Sequence, residues 1–323
     1  MARLLGEVFG HKETIAKLLE TFASQRPGQT FLFVGPNGVG KKKIAVGLAQ
    51  ALLCERTPMA CGHCPSCLRV AANAHGSLKL IAPTGANIKI EESREVIEFL
   101  SLQSLTAKRV VIIDQAQSLN TQAANALLKI LEEPPTQTYF FLIAPSAAGV
   151  LSTIRSRSRP VSFRPLTTAD IARGAPESPE WAVRASQGSF EKLAQLKGGP
   201  EQEVRGDAFR ILQQFLEDPD FLTDSSWREP FKERARAQRI MSYWISFLRD
   251  VLYYQEDRKA SIMNVDQGDL LKKLGAKKRD LILGLIEKAM RVEIEILQNR
   301  DVQLLMEQFW IQNQSREQGM SNA

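Results

Sequence analysis

The sequence predicts an α/β domain built on a parallel sheet, followed by a short helical tract and an all-helical C-terminal third. Three observations carry that reading. Short apolar runs alternate with helix-period segments through the first half of the chain. A glycine-rich loop follows the first of these runs directly and opens a helix, the order strand, loop, helix. Beyond about residue 204 no strand signal of comparable strength survives, while helical periodicity continues.

The elements follow in order. Ile15, Leu18, Leu19 and Phe22 fall at helical spacing within residues 13–24, and QRPGQ after them reads as a loop. TFLFV at 30–34 has the continuous apolar character of a buried parallel strand. IAVGLAQALLC at 44–54 reads as a helix. SLKLIAP is a strand, and a helix starts near Glu91. Val110, Val111, Ile112 and Ile113 form a second buried strand that ends on Asp114. TQAANALLKILEEPP is a helix stopped by Pro134 and Pro135. TYFFLIAP is another strand, and VSFRPL at 161–166 reads as the last. Between 167 and 200 the pattern is short helices broken by GAPESPE and KGGPE. Further on, Ile240, Trp244, Phe247, Leu248 and Val251 share one helical face, expected as internal core, and the final NQSREQGMSNA is expected to fray. The boundaries are drawn at 1–165, 166–203 and 204–323, with a cysteine module at about 54–67.

The totals agree with this organisation. A chain of 323 residues accommodates two or three domains, and 44% apolar with 24% charged residues is enough for packed cores. There is no apolar run of membrane-spanning length, and the N-terminus lacks the apolar core of a signal peptide, so a cytoplasmic protein with no membrane partner is expected. The net charge of +6 is compatible with a polyanionic partner.

The stretch GPNGVGKKK at 35–43 matches the phosphate-binding pattern G-x-x-x-x-G-K-[ST] at Gly35, Gly40 and Lys41, with Gly38 inside the loop. Backbone N–H groups of such a loop and the following helix N-terminus surround a phosphate. The next position normally carries a hydroxyl that holds Mg²⁺; here it is Lys42, which has no acceptor atom. Two unit charges about 4 Å apart at an effective dielectric of about 20 interact by roughly 4 kcal/mol; against a divalent ion the upper bound is roughly double. Asp114 ends a strand where a metal-binding carboxylate belongs, yet the following residue is Gln115, a poor base in place of a glutamate. The cofactor-binding set is therefore Gly35, Gly38, Gly40, Lys41, Lys42 and Asp114, a degenerate nucleotide site at which ATP binding is in doubt and Mg²⁺-dependent hydrolysis is not expected. A mere glycine turn with surface lysines would not explain the strand, the helix and Asp114 falling in register with it.

All four cysteines lie in one cluster, Cys54, Cys61, Cys64 and Cys67, spaced C-x₆-C-x₂-C-x₂-C. In a cytosolic chain that clustering points to metal rather than disulfides, and four thiolates suit a closed, structural tetrahedral Zn²⁺. His63 lies within the cluster, where it could substitute for one cysteine, but it is expected to face solvent; His11 and His75 receive no role.

Taken together, Gly10-His11, the GPNGVGKK loop, the cysteine cluster after its helix, the run VVIIDQAQSLNTQAANALLKILEEPP, TIRSRS at 153–158 and ASQGSFEKL at 185–193 resemble the delta-prime subunits of the bacterial DNA polymerase III clamp loader, within the AAA+ class. The resemblance covers about residues 8–195; the C-terminal third matches only in being helical. It implies a P-loop AAA+ domain with a zinc-binding insertion, a small helical lid and a helical C-terminal oligomerisation collar. It further implies a subunit of the polymerase complex with no catalysis of its own, acting in a hetero-pentamer with ATPase subunits and delta, on a sliding clamp and primer-template DNA. In that family a Ser-Arg-Cys motif carries an arginine finger that acts in trans. Here it reads Ser156-Arg157-Ser158, so the resemblance gives the role to Arg157, while the sequence leaves the flanking Arg155 and Arg159 open as alternatives. The family's lid motif G-S-x-R reads Gly188-Ser189-Phe190-Glu191, a carboxylate in place of a phosphate-binding arginine. Lys42, Gln115 and Glu191 each remove a group that acts on nucleotide in cis, while Arg157 remains. Two other readings are an active motor subunit of the same loader, against which Lys42 and Gln115 speak, and a zinc-containing DNA-binding protein, which the basic charge allows but whose KKK and RARAQR runs lack interleaved aromatics.

Overall fold

The computed structural model describes residues 4–23, 28–102, 107–135, 137–218, 221, 223 and 225–320. Inter-residue contacts divide the chain into two compact units, one of residues 1–176 with 187–191, the other of residues 177–186 with 192–323.

The first unit opens with a 3-10 turn at Leu4–Glu7 and α1, Lys12–Ala23. There follow β1 (Gln29–Val34), α2 (Lys41–Leu53), α3 (Pro65–Ala71), β2 (Leu78–Ile81), α4 (Ile90–Ser101), β3 (Arg109–Ile113), α5 (Thr121–Glu132), β4 (Thr138–Ala144), α6 (Ser152–Arg155), β5 (Arg159–Ser162) and α7 (Thr168–Gly174). The five strands form one parallel sheet in the order β2-β3-β4-β1-β5. The all-apolar strand reading holds because the strands are covered on both sides: every residue of β4 is buried, as are Phe31, Leu32 and Phe33 of β1 and Val110 to Ile113 of β3. One covering layer is aromatic, with Phe22 of α1 edge-on to Phe31, Tyr139 and Phe141. α5 supplies another, burying Ala123, Ala124, Leu127 and Leu131. Its start is capped by the Asn120 side chain, which accepts from Ala123 N–H at 2.8 Å, and it ends before Pro134 as expected.

Several boundaries differ from the sequence reading, each for a local reason. α2 starts at Lys41, three residues before the expected Ile44, because Lys41 to Lys43 form its first turn and Ile44 N–H donates to Gly40 O at 2.9 Å. The last strand lies at Arg159–Ser162 rather than 161–166; its length is set by β1, whose final residue Val34 pairs with Ser162. The loop expected at QRPGQ falls, for residues 25–27, outside the described residues, as do residue 24 of the first helix and the last two residues, 103–104, of the segment IKIEESREVIEFLSLQS read as the helix starting near Glu91.

Among its described residues the second unit has helices and turns and no strand. It contains α8 (Glu180–Ala185), most of α9 (Phe190–Lys197), α10 (Gly199–Glu217), α11 (Arg234–Gln255), α12 (Gly268–Gly275), α13 (Arg279–Leu297) and α14 (Val302–Met320). The expected KGGPE break shrinks to Gly198, since Pro200 sits in the first turn of α10, where its missing N–H costs no hydrogen bond. The tail expected to fray is helical to Met320, and residues 321–323 lie outside the described set. The face of α11 read from the sequence is core: Ile240, Trp244, Phe247 and Val251 are fully buried, beside Trp227, Phe231 and Trp310. The tract 166–203 is shared between the units rather than gathered in one. No described helix is long and apolar enough to cross a membrane.

Candidate functional site

β1 delivers the chain into the glycine loop at the C-terminal edge of the sheet, and β3 delivers Asp114 to the same edge. Ligands of open parallel sheets bind at that edge. There the first unit forms a cleft of about 610 Å³, lined among others by Gly38, Gly40, Lys41, Lys42, Asp114 and Glu191. The backbone enforces the loop's shape. A Cβ on Gly35, at φ +152°, would stand 2.1 Å from the carbonyl oxygen of Phe163, and Gly38 has φ +74°. A Cβ on Gly38 would meet Ser189 Oγ at 2.2 Å and the backbone N of Glu191 at 2.7 Å. Phe190 N–H donates to Gly38 O at 3.0 Å, which fixes the Gly188-to-Glu191 segment against the loop. Gly40 enters α2 without a side-chain cap, so the first N–H groups of the helix have no intrahelical acceptor.

Inside this retained shape the charges answer one another. Lys41, almost wholly buried, donates to Gly35 O at 2.6 Å and Pro36 O at 2.7 Å. Burial lowers its pKa, opposed by the carboxylates of Asp114 and Glu191. Lys42 Nζ lies 3.0 Å from Asp114 Oδ2, and Lys43 Nζ lies 3.0 Å from Glu7 Oε2. Gln115 takes a left-handed backbone, φ +56°, and its N–H donates to Asp114 Oδ1 at 3.0 Å. All six residues of the expected nucleotide set thus converge on one loop and its facing strand end. The lysine–carboxylate pairings escaped the sequence reading, since Glu7 and Asp114 are remote in the chain and no spacing rule joins them to the loop.

The serine–arginine segment follows α6. Arg157 Nε lies 3.1 Å from Glu132 Oε2, and its Nη1 donates to Thr153 O at 3.1 Å and towards Ser156 Oγ at 3.4 Å. Arg155 donates to Ala147 O at 3.3 Å, and Arg159 opens β5. None of these three arginines lines the cleft.

The cysteine cluster stands between α2 and α3. The four Sγ atoms lie within 4.8 Å of one another, with Cys54 to Cys64 at 4.0 Å and Cys61 to Cys67 at 3.9 Å. Four sulfurs about 2.3 Å from a tetrahedral zinc would be about 3.8 Å apart, so these two pairs stand close to the spacing such an ion needs. Backbone N–H groups of Cys61, Cys64 and Cys67 point at Cys54, Cys61 and Cys64 sulfurs at 3.3–3.4 Å. Burial resists ionisation of Cys54, but the N–H groups around it win and bring its thiol down to about 6. Burial instead pushes the Cys67 thiol up to about 12. His63 is exposed, contacts Arg56 and the Cys61 carbonyl, and stands outside the ligand cluster. His75 braces the module instead: Ser66 Oγ donates to Leu53 O at 2.6 Å and meets His75 Nε2 at 2.9 Å, while Ser77 N–H donates to Nδ1 at 3.0 Å. Sequence reasoning left His75 without a role because its partners are a hydroxyl and a backbone amide, neither of which forms a motif. His11 packs edge-on to Phe163 beside the loop, with burial holding its pKa below the usual value.

A family model described as "DNA polymerase III, delta subunit" matches residues 10–167. DNA polymerase III subunit delta' of Pseudomonas aeruginosa is 35% identical over 192 residues, 56% of this chain and 56% of that protein. The subunit delta' of Bacillus subtilis is 29% identical over 253 residues, 75% of this chain and 77% of that one. Subunit gamma/tau of Mycobacterium bovis is 37% identical over 162 residues, 49% of this chain and 28% of that one. The match thus spans about half of the Pseudomonas relative and less of the mycobacterial one.

Proposed function

Over residues 10–167 the chain belongs to the family of DNA polymerase III delta-prime clamp-loader subunits, and from that premise we propose that it is the loader's non-hydrolysing member, serving a neighbour's ATP site. The observation that carries this is the Lys42–Asp114 ion pair at 3.0 Å, which sets an ammonium where a hydrolysing site needs a divalent cation. Gln115 offers an amide in place of a general base, and Glu191 sets a second carboxylate against the loop. The nucleotide cleft keeps its form and loses its chemistry.

Arg157 is the group we propose acts in trans. Its partner Glu132 is more than half exposed, and an exposed pair of this kind is worth only about 0–1 kcal/mol. A phosphate from an adjacent subunit would exchange for that carboxylate at little cost, and the planar guanidinium can bridge two phosphate oxygens. The cysteine module would hold one Zn²⁺ through Cys54, Cys61, Cys64 and Cys67, a closed set whose contribution is structural. The proposed domain plan is an AAA+ domain at 1–165, a lid at 166–203 and an oligomerisation collar at 204–323. The partners would be ATPase subunits, delta, the sliding clamp and primer-template DNA, in a cytoplasmic assembly.

The test is ATP turnover with Mg²⁺ for this chain alone and for the reconstituted loader carrying wild-type or Arg157→Ala protein. The lone chain should be silent. The arginine variant should assemble and lower DNA-stimulated turnover substantially, a trans arginine being worth about 10³–10⁵ in GTPase examples. Unchanged turnover in a verified assembly removes the finger from Arg157, and turnover by the lone chain makes it a motor subunit.

A further inference from the structure

Asp114 has both carboxylate oxygens engaged. Oδ1 accepts from Gln115 N–H at 3.0 Å, and Oδ2 faces the Lys42 ammonium at 3.0 Å. Magnesium is usually held by one or two carboxylates together with substrate phosphates and water. In this cleft the only oxygen of Asp114 not taken by its own neighbour's amide is covered by a cation that the chain itself supplies. The other two lysines of the run are committed elsewhere, Lys41 to Gly35 O and Pro36 O, Lys43 to Glu7.

We infer that Lys42 is a tethered counter-ion occupying the place of a divalent cation at Asp114, so that one side chain decides the cation selectivity of the cleft. With Lys42 present, a divalent ion must displace a covalently attached charge and suffers its repulsion once displaced. With that charge removed, Asp114 and Glu191 face Lys41 alone and the cleft becomes net negative. The Lys42 side chain is 51% exposed whereas that of Asp114 is 18% exposed, so removing the lysine uncovers a carboxylate without emptying a packed core. The inference deepens the non-hydrolysing reading and rests on the cleft it describes, but it concerns cation binding and can fail separately.

The experiment titrates Mn²⁺ into the full-length, zinc-loaded chain and follows bound metal by electron paramagnetic resonance. Wild type is compared with Lys42→Thr, which restores a hydroxyl, and Lys42→Met, which removes the charge while keeping an unbranched stem. Each is repeated with Asp114→Asn. Both single variants should bind Mn²⁺ roughly ten-fold or more tightly than wild type, and Asp114→Asn should erase the gain. Equal affinities in wild type and single variants overturn the inference, and so does a gain that survives Asp114→Asn. If the threonine variant folds poorly, the methionine variant decides. ATP turnover measured on the same samples separates the two readings: turnover by the wild-type chain counts against the non-hydrolysing function, whereas Mn²⁺ uptake by the variants beside a silent wild type leaves it standing.

Discussion

The glycine loop and the cysteine module lie at the two ends of the same helix, α2, and are built on opposite means, one on backbone and one on side chains. At its N-terminus the loop retains its backbone shape, enforced by the clash any side chain at Gly35 would make with Phe163. Its side chains, however, are turned inward on one another through Lys41, Lys42 and Lys43. At the C-terminus the module gathers side chains, four sulfurs within 4.8 Å of one another, on a segment with little regular structure before α3. A phosphate loop binds through backbone N–H groups, so its shape depends on its glycines and not on what its side chains pair with. A metal site binds through side chains alone, so four donors must be present together or the segment has nothing to hold it.

That contrast can be broken first at the module. Cys67→Ala should abolish zinc uptake and loosen residues 54–71, lowering stability by several kcal/mol, since structural zinc is worth about 10–16 kcal/mol in finger peptides. Metal analysis and thermal unfolding of reduced protein check it, and full zinc occupancy in the variant would remove Cys67 from the ligand set. In the loop the comparison sharpens between two glycines. Gly35→Ala should cost about 2–3 kcal/mol because the new Cβ meets backbone, whereas Gly40→Ala has open space and bears only the cost of its φ of +97°, about 1 kcal/mol. Denaturant midpoints that coincide for the two variants would show that packing against Phe163 is not what holds the loop.

The smallest effect concerns pH. Burial, reinforced by Arg69, lowers the pKa of His75 below its ordinary value of about 6.5. The unfolded chain therefore binds the extra proton first, and stability, complete above about pH 6.5, falls as the pH drops from there toward the depressed folded value. His11 shifts in the same direction, also through burial. His75→Gln should flatten part of this slope in unfolding measured from pH 7.5 to 5, while a slope identical to wild type would assign the acid sensitivity to other groups.

The order of strands and helices was legible because buried parallel strands are apolar throughout and the helices between them carry one apolar face, both local patterns. The glycine loop, Asp114 and the cysteine spacing were legible for the same reason, each being a short-range arrangement of residue types. Boundaries such as those of α2 and β5 were not, because a helix start depends on the loop before it and a strand end depends on the length of its partner.

What the sequence by itself determined is which groups are available: no hydroxyl after Lys41, no glutamate after Asp114, four cysteines and no more. Tertiary structure alone decided what those groups do to one another. It brought Asp114 to Lys42 and Glu7 to Lys43, placed His75 under Ser66, and gave Arg157 to Glu132. Pairing of charges depends on distance in space, and folding sets that distance between residues whose separation along the chain says nothing about it.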